Sequence, residues 1–256
     1  MKNLFDLSDK VALITGASSG MGKAIAEAMG LHGAKIIVSS NDTEGVQKTV
    51  QDFENQGITV LGVVCDMSQK QDIEHLFQAA MSHFGKIDIL VNCVGIAIPN
   101  GFLDINAVDF EKTMAFNLQS AIYLTKLIIP QMQARKDGAI IYLASIAGVR
   151  GNKNIGLYGI SKAGLIQLAR NLAVEFGPDN IRVNSISPGM IDTPFSQSLM
   201  KNKVFMDKRL ALTPLRRVGN VTEIAGVAVM LASKAGGFIT GQNIIVDGGT
   251  TISDGN

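Results

Sequence analysis

A tyrosine and a lysine stand four residues apart in a helical stretch, and a serine precedes the tyrosine by thirteen residues. These residues are Ser145, Tyr158 and Lys162. On a helix, positions i and i+4 share one face, so the phenol and the ammonium are predicted to lie one turn apart. A free phenol titrates near ~10, but a neighbouring ammonium favours the phenolate and lowers that pKa. Tyr158 could therefore give a proton to a carbonyl oxygen, or take one from an alcohol, near neutral pH.

Ser145 follows the fifth predicted strand, at the edge where doubly wound sheets bind ligands. Its hydroxyl could polarise a substrate oxygen. Taken separately, Tyr-x₃-Lys is also typical of an ordinary helix surface, and a serine there is typical of a turn. The combination favours catalysis. No histidine lies near Ser145 in the sequence, which disfavours a Ser-His-Asp hydrolase.

A proton donor alone cannot interconvert a carbonyl and an alcohol, because no side chain carries a hydride. A candidate dinucleotide site follows the first predicted strand, where glycines stand at positions 16, 20 and 22. Such a turn presents the N–H groups and the dipole of the next helix to a pyrophosphate. Gly16 would permit the tight turn, Gly20 close approach of the phosphates, and Gly22 close packing of helix on strand. The spacing G-x₃-G-x-G differs from the commoner G-x-G-x-x-G, so a purely structural turn is the alternative.

Short apolar runs alternate with longer helical patterns along the chain, which is typical of an α/β fold. Strands are predicted over 10–15, 34–40, 58–65, 87–92, 138–144, 181–187 and 243–246. Helices are predicted over 21–32, 43–56, 69–84, 107–135 (as two helices), 157–176 and 221–233. Helix-length connections require parallel strands, and near-continuous apolar strands indicate a sheet covered on both faces. We expect a Rossmann-type, doubly wound parallel sheet of about seven strands with helices on both faces.

Residues 189–217 interrupt this alternation with a long stretch that contains no predicted strand. The stretch is rich in Met and Phe, and 201–217 carries six cations against one acid. Long excursions inside a compact domain are often lids, so a substrate lid is predicted at about 189–217. Because there is no internal repeat and no low-complexity linker, 1–256 is predicted to be a single dinucleotide-binding and catalytic domain.

Charge and composition disfavour several other classes of protein. The 23 Lys and Arg residues nearly balance the 22 Asp and Glu residues, which disfavours a nucleic-acid or polybasic membrane surface. Cys65 and Cys93 lie in apolar runs, which predicts free thiols in a reducing compartment. The three histidines lack metal-ligand spacing, so no metal is expected. With no apolar run of about 18 residues and no signal-peptide pattern, a cytoplasmic location is expected.

Motifs in a fixed order along about 10–250 resemble those of the short-chain dehydrogenase/reductase family. The glycine turn is similar to the family's cofactor turn, and 92–95 (NCVG) resembles its N-N-A-G, with Cys93 and Val94 as departures. Further matches are Asp66, Asn117, Ser145, Tyr158, Lys162, Pro188, Gly189, Thr193 and Asp247–Gly249. This resemblance implies an NAD(P)-dependent oxidoreductase that interconverts a carbonyl and a secondary alcohol.

The resemblance also implies roles for individual residues. The implied catalytic residues are Asn117, which would hold a proton-relaying water, Ser145, Tyr158 and Lys162, which would also bond the nicotinamide ribose. The implied cofactor contacts are Gly16, Ser18, Ser19, Gly20, Met21, Gly22, Ser40, Asn41, Asp66, Met67, Asn92, Gly95, Tyr158, Lys162, Pro188, Gly189, Ile191 and Thr193. Asp66 would contact adenine, with a strand-end cap as the alternative.

The choice between NADP and NAD depends on the end of the second strand. Ser40 stands where NAD enzymes of the family usually carry Asp, and Asn41 where many NADP enzymes carry Arg. Neither repels a 2′-phosphate, which favours NADP, whereas Asp42 and Glu44 add negative charge nearby. NADP is expected, with NAD as the alternative.

Substrate and assembly are predicted more coarsely. Substrate-facing positions are predicted at Ile96, Ile98, Ala147 and Val149 and in the lid, which indicates a mainly apolar small molecule. One alternative is a 3-oxoacyl-thioester reductase acting on carrier protein or coenzyme A, which Val174 disfavours because a basic residue often stands there. Another is a non-catalytic dinucleotide-binding regulator. A homotetramer is expected from family resemblance and from apolar residues that one sheet face cannot cover, namely Ile122, Leu124, Leu127, Ile128, Leu165, Leu168 and Leu172.

Overall fold

The computed structural model describes residues 3–253, which are built around a seven-stranded parallel sheet. The strands are β1 Val11–Thr15, β2 Lys35–Ser40, β3 Val60–Val64, β4 Ile89–Asn92, β5 Gly138–Leu143, β6 Ile181–Pro188 and β7 Asn243–Val246. Their order is β3-β2-β1-β4-β5-β6-β7, and every neighbouring pair is parallel. The predicted fold class is confirmed. The strand order reverses between β1 and β4, which is where ligands bind in such sheets.

The helices cover both faces of the sheet, close to their predicted ranges. They are α1 Gly20–Leu31, α2 Thr43–Glu54, α3 Lys70–Phe84, α4 Ala107–Met114, α5 Ser120–Arg135, α6 Gly156–Phe176, α7 Gln197–Met200, α8 Lys203–Ala211 and α9 Val221–Ala232. A π-helical turn, Ala115–Gln119, separates α4 from α5, so the stretch 107–135 does hold two helices.

Alternate residues of each central strand feed two separate cores. In β1, Ala12 and Ile14 pack with α1 and α9, whereas Val11 and Leu13 pack with α3, α5 and α6. Each strand side chain is removed from water on one face or the other, and a fully buried Leu or Ile contributes about 1.5–3 kcal/mol. This two-sided burial is the reason that these strands are nearly continuous in apolar residues.

The segment 189–217 runs from the end of β6 to the loop before α9. It holds the short helices α7 and α8, and it contains no strand, as the sequence predicts. Ile191 forms an isolated bridge to Gly219, which ties the start of the segment to its end. The segment is therefore anchored at both ends near the carboxyl edge of the sheet.

The structure corrects the surface argument for a tetramer. The sequence argument counted only the sheet as a cover, but α5 also packs beside α3. Ile122 remains 43% exposed. Of the other six apolar residues, three are buried in the core of the same chain (Leu124, Ile128 and Leu165) and three are partly buried against it (Leu127, Leu168 and Leu172). The buried residues give no support to the tetramer, which stays a prediction.

The three histidines lie at the surface. His32, His75 and His83 are all exposed. Across residues 3–253, no helix combines the length and the apolar character needed to cross a bilayer.

Candidate active site

The glycine turn after β1 adopts backbone conformations that side chains disfavour. Gly16 has φ +65° and Gly20 has φ +54°, both in the left-handed region. A Cβ on Gly22 would lie 2.2 Å from the carbonyl oxygen of Gly16, so only glycine allows α1 to pack on the turn. Gly16 and Gly22 therefore have the roles in the shape of the turn that the sequence predicts, while the approach of phosphates at Gly20 stays a prediction.

The N-terminus of α1 is open toward the space above the sheet. Ser19 is the N-cap, and its side chain makes no capping hydrogen bond. The first N–H groups of a helix lack intrahelical acceptors and carry the positive end of the dipole. An open helix end behind a turn with glycines at 16, 20 and 22 fits a pyrophosphate, so the residues present match a dinucleotide.

The end of β2 forms a small polar network beside this turn. The hydroxyl of Ser18 donates to that of Ser40 at 2.9 Å, and the backbone N–H of Asp42 donates to Ser40 Oγ at 3.2 Å. The carboxylate of Asp42 caps α2 by accepting from the N–H of Gly45 at 3.0 Å. Asn41 is exposed at the edge of the same space. The negative charge of Asp42 is thus partly engaged by the helix that it begins.

A cleft of about 420 Å³ extends along the turn and the ends of β1, β2, β4 and β5. Thirteen of the predicted site residues line it: Gly16, Ser18, Ser19, Gly20, Met21, Gly22, Ser40, Asn41, Met67, Gly95, Tyr158, Lys162 and Thr193. Motifs that are up to 177 residues apart in the sequence therefore meet in one cleft, which we call the first cleft.

A second cleft of about 810 Å³ lies between the end of β5 and the 189–217 segment. It is lined by Ser145, Pro188, Gly189 and Ile191 of the predicted set, and by Leu199, Phe205 and Arg209 of the segment. Five residues line both clefts: Met21, Ala144, Tyr158, Thr193 and Phe195. Tyr158 thus stands where a ligand in one cleft would meet a ligand in the other.

The predicted substrate positions do not all line the same cleft, and which of them contacts substrate stays a prediction. Ala147 lines the second cleft, whereas Ile96 lines the first. Val149 is 44% exposed and lies in a separate surface depression. In the loop after β4, the second cleft is lined instead by Ala97 and Pro99. A loop has no fixed side-chain period, so the sequence could not give this register.

Tyr158 and Ser145 both line the second cleft. Burial raises the pKa of the Tyr158 phenol, and the Ser145 hydroxyl offsets part of that rise. The Ser145 hydroxyl also accepts from the backbone N–H of Ala147 at 3.1 Å. The sequence-based prediction that a neighbouring ammonium lowers this pKa is wrong for this structure, in which burial dominates.

Lys162 is directed at main-chain carbonyls rather than at the phenol. Its Nζ donates to the carbonyl of Leu143 at 2.8 Å and lies 3.5 Å from that of Val94. The same atom is 5.7 Å from the centroid of the Tyr158 ring. The side chain is 3% exposed, and burial lowers the pKa of Lys162 to about 8. The space for Nζ exists because residue 95 is glycine, where a Cβ would lie 2.9 Å away.

Asn117 lies behind the clefts, in the π-helical turn. Its side chain is fully buried and bonded to protein groups: Oδ1 accepts from the N–H of Ile96, and Nδ2 donates to the Ile96 carbonyl and to Ser161 Oγ. Ser161 in turn donates to the carbonyl of Tyr158. Asn117 therefore connects the loop after β4 to the helix that carries Tyr158 and Lys162.

Asp66 and Asn92 do not line either cleft. Oδ1 of Asp66 accepts from both the N–H and the hydroxyl of Ser68, which favours the strand-end cap that the sequence left open. Asn92 is buried in β4, where its Oδ1 accepts from the hydroxyl of Thr15 at 2.9 Å. Both residues make hydrogen bonds at the carboxyl ends of their strands.

Several cleft residues carry no motif and were not predicted as site residues. Phe195 lines both clefts, and its ring lies 6.3 Å from that of Tyr158. Leu143 and Phe116 line the first cleft. The signal for Leu143 was its place at the end of β5, next to Ser145. Phe116 lies in the π-helical turn and Phe195 in the connection before α7, and neither place has the regular side-chain period of an α-helix or a strand.

Comparison with known proteins gives a consistent set of matches. A family model described as Enoyl-(Acyl carrier protein) reductase matches residues 16–251. A tropinone reductase homolog of Arabidopsis thaliana is 37% identical, over 98% of this chain and 94% of the relative. Dehydrogenase/reductase SDR family member 4 of Sus scrofa is 35% identical, over 95% of this chain and 88% of the relative.

Two solved structures are similar over nearly the whole chain. A 7 alpha-hydroxysteroid dehydrogenase, complexed with NADH and 7-oxo glycochenodeoxycholic acid, has a TM-score of 0.93 and 35% identity, covering 97% of this chain and 98% of that one. A gluconate 5-dehydrogenase from Burkholderia cenocepacia J2315, in complex with NADP and tartrate, has a TM-score of 0.94 and 28% identity, covering 98% of each chain.

Proposed function

The chain belongs to the short-chain dehydrogenase/reductase family of oxidoreductases, and we propose that it interconverts a carbonyl and a secondary alcohol with Tyr158 as the acid–base group. One observation carries this proposal. Tyr158 lines both clefts, with Ser145 beside it in the lining of the second cleft and Lys162 one helical turn away. A proton donor at the junction of two ligand-sized clefts is the arrangement that this reaction needs.

The first cleft would hold the dinucleotide. Its pyrophosphate would lie over the turn formed by Gly16, Gly20 and Gly22, where the open end of α1 offers N–H donors. When bound, the nicotinamide supplies or accepts the hydride. The remaining chemistry belongs to side chains at the junction.

Tyr158 and Ser145 would act on the reacting oxygen. The Ser145 hydroxyl polarises a carbonyl oxygen by donating to it, and the phenol of Tyr158 gives that oxygen its proton. Because burial raises the pKa of Tyr158, the phenol is protonated at neutral pH and ready for the reductive direction. The reverse direction needs the phenolate, so alcohol oxidation should rise with pH while carbonyl reduction stays flat near neutrality.

A Tyr158→Phe variant tests the assignment. A panel of ketones and secondary alcohols is assayed with NADPH, NADH and their oxidised forms, by absorbance of the reduced nicotinamide. Loss of the hydroxyl should reduce turnover roughly 10²–10⁴-fold, with dinucleotide affinity nearly unchanged. Tyr123→Phe is the matched control, because Tyr123 bonds Glu74 on the surface of α3 and lines neither cleft.

Two results would contradict the proposal. Near-normal turnover by Tyr158→Phe would show that another group moves the proton. Tight dinucleotide binding by the wild type without turnover of any panel member would favour the regulator that the sequence left open.

We further propose that NADP is preferred and that NAD is also used. Ser40 and Asn41 line the first cleft and carry no negative charge, while the Asp42 carboxylate accepts from the N–H of Gly45. A 2′-phosphate would therefore meet neutral donors first. The similar structures support use of either cofactor, since one is described with NADH and another with NADP.

A 3-oxoacyl-thioester substrate is the second candidate. It is favoured by the description of the matching family model, which names an acyl-carrier-protein reductase. Position 174, where a basic residue would support carrier-protein docking, holds a valine that is 82% exposed. The panel should include a 3-oxoacyl thioester of coenzyme A. Turnover of that thioester far above all simple ketones would select this candidate.

A further inference from the structure

The second cleft has an uneven charge distribution. Among the described residues that line it, only Lys153 and Arg209 are charged, and none is acidic. Most of the remaining lining is apolar, including Ile155, Leu199 and Phe205. A cleft of this kind suits a ligand with an apolar body and a negative group.

Arg209 has no ion-pair partner within residues 3–253. It projects from α8, is half-buried, and its guanidinium carbon lies 5.8 Å from the centroid of the Phe205 ring. The acid whose charge acts on Arg209 is Asp247. The two oxygens of Asp247 already accept from the N–H groups of Gly249 and Thr251, at 2.8 and 2.7 Å.

A second arginine makes the region more positive. Arg150 acts on Arg209 as a like charge, and together with burial it lowers the pKa of the Arg209 guanidinium. Nε of Arg150 is itself buried with no hydrogen-bond partner in the described part of the chain. Arg209 therefore has guanidinium donors without a hydrogen-bond partner among the described residues, in a cleft whose described lining holds no acid, and an anion would stabilise such a group.

We propose that Arg209 binds an anionic group of the substrate, so that the substrate is a mainly apolar ketone or secondary alcohol that also bears a carboxylate. This inference rests on the proposed function, which places the substrate in the second cleft. The phosphates of the dinucleotide are not the anion, because the turn that would hold them lines the first cleft, and Arg209 does not. A planar carboxylate matches the two parallel donors of a guanidinium.

The test measures binding rather than turnover. Enzyme loaded with oxidised cofactor is titrated calorimetrically with 4-acetylbenzoate, with its methyl ester, and with 4-acetylphenyl phosphate. Since the oxidised cofactor cannot reduce the ketone, the titration reports affinity alone. The acid should bind at least roughly tenfold more tightly than the ester, as expected for a charge-assisted pair.

Substitutions on α8 test whether Arg209 causes the preference for acid over ester. Arg209→Gln should abolish the preference for acid over ester, and Arg209→Lys should keep part of it, because the charge remains without the bidentate geometry. Lys208→Gln is the matched control, since Lys208 is the exposed neighbour on α8 and does not line the cleft. It should keep the wild-type preference.

The outcomes separate this inference from the proposed function. The inference is overturned if the wild type binds the acid no more tightly than the ester, including the case in which neither binds. It is also overturned if Arg209→Gln still prefers the acid over the ester. Tighter binding of the phosphate than of the carboxylate would overturn the carboxylate assignment and leave an anion site. Failure of the proposed function would appear elsewhere, as absent dinucleotide binding or as turnover that Tyr158→Phe does not change.

Discussion

Replacing Lys162 with methionine separates the chemical role of the buried ammonium from its effect on stability. Burial lowers the pKa of Lys162 from its ordinary 10.5 to about 8. At about 1.4 kcal/mol per pKa unit, keeping this group charged in the folded state costs about 3 kcal/mol relative to water. Methionine has a similar length and no charge, so this cost disappears. The carbonyl of Leu143 loses its donor, which costs about 1–3 kcal/mol. At neutral pH the variant should therefore be as stable as the wild type or up to about 2 kcal/mol more stable.

The pH dependence gives the sharper test. Between about pH 8 and 10.5 the unfolded state binds more protons at this lysine than the folded state, so wild-type stability rises with pH relative to the variant. The lost Leu143 hydrogen bond does not depend on pH. The difference in free energy of unfolding between the two proteins should be constant below pH 8. It should then move by roughly 2 kcal/mol in favour of the wild type by about pH 9.5.

Urea unfolding followed by far-UV circular dichroism measures this difference, at equal protein concentrations and at both pH values. Lys126→Met is the control, because Lys126 is exposed on α5, and its difference from wild type should not change with pH. Lys162→Met should also lose most of its activity. A variant that is less stable than the wild type by the same amount at every pH would refute the reasoning and make Lys162 a structural hydrogen-bond donor.

Three further substitutions test the first cleft. Gly95→Ala should fold normally but lower turnover. The added Cβ would lie 2.9 Å from Nζ of Lys162, so the flexible end of the lysine side chain must move. An unchanged kcat would contradict this prediction. Gly22→Ala should abolish dinucleotide binding measured by calorimetry, because its Cβ would lie 2.2 Å from the backbone oxygen of Gly16. A variant that binds the dinucleotide as tightly as the wild type would show that the turn is not the phosphate site. Asn41→Arg should raise the NADP-to-NAD ratio of kcat/KM at least about tenfold, because a guanidinium binds phosphate through two parallel hydrogen bonds. An unchanged ratio would show that the adenosine end of the cofactor binds elsewhere.

The sequence alone determined the sheet, because the information needed for it is local. Short apolar runs marked all seven strands, and the helix-length connections between them required parallel pairing. The glycine spacing likewise indicated the turn, since a left-handed φ and a backbone contact at 2.2 Å are demands that glycine alone meets. Ser145, Tyr158 and Lys162 could be placed at one edge for the same reason: the carboxyl ends of parallel strands share that edge.

Only the tertiary structure decided the contacts and the pKa values of the side chains in the site. The spacing of Tyr158 and Lys162 suggested an ammonium that activates a phenol, yet Nζ is directed at the carbonyl of Leu143, and burial raises one pKa and lowers the other. Burial arises from elements distant in sequence, so no local pattern reports it. Arg209 is the residue whose surroundings the sequence indicates least. In the sequence Arg209 is one cation among six, and its place in a cleft whose described lining holds no acid follows from the position of α8 across that cleft from the end of β5.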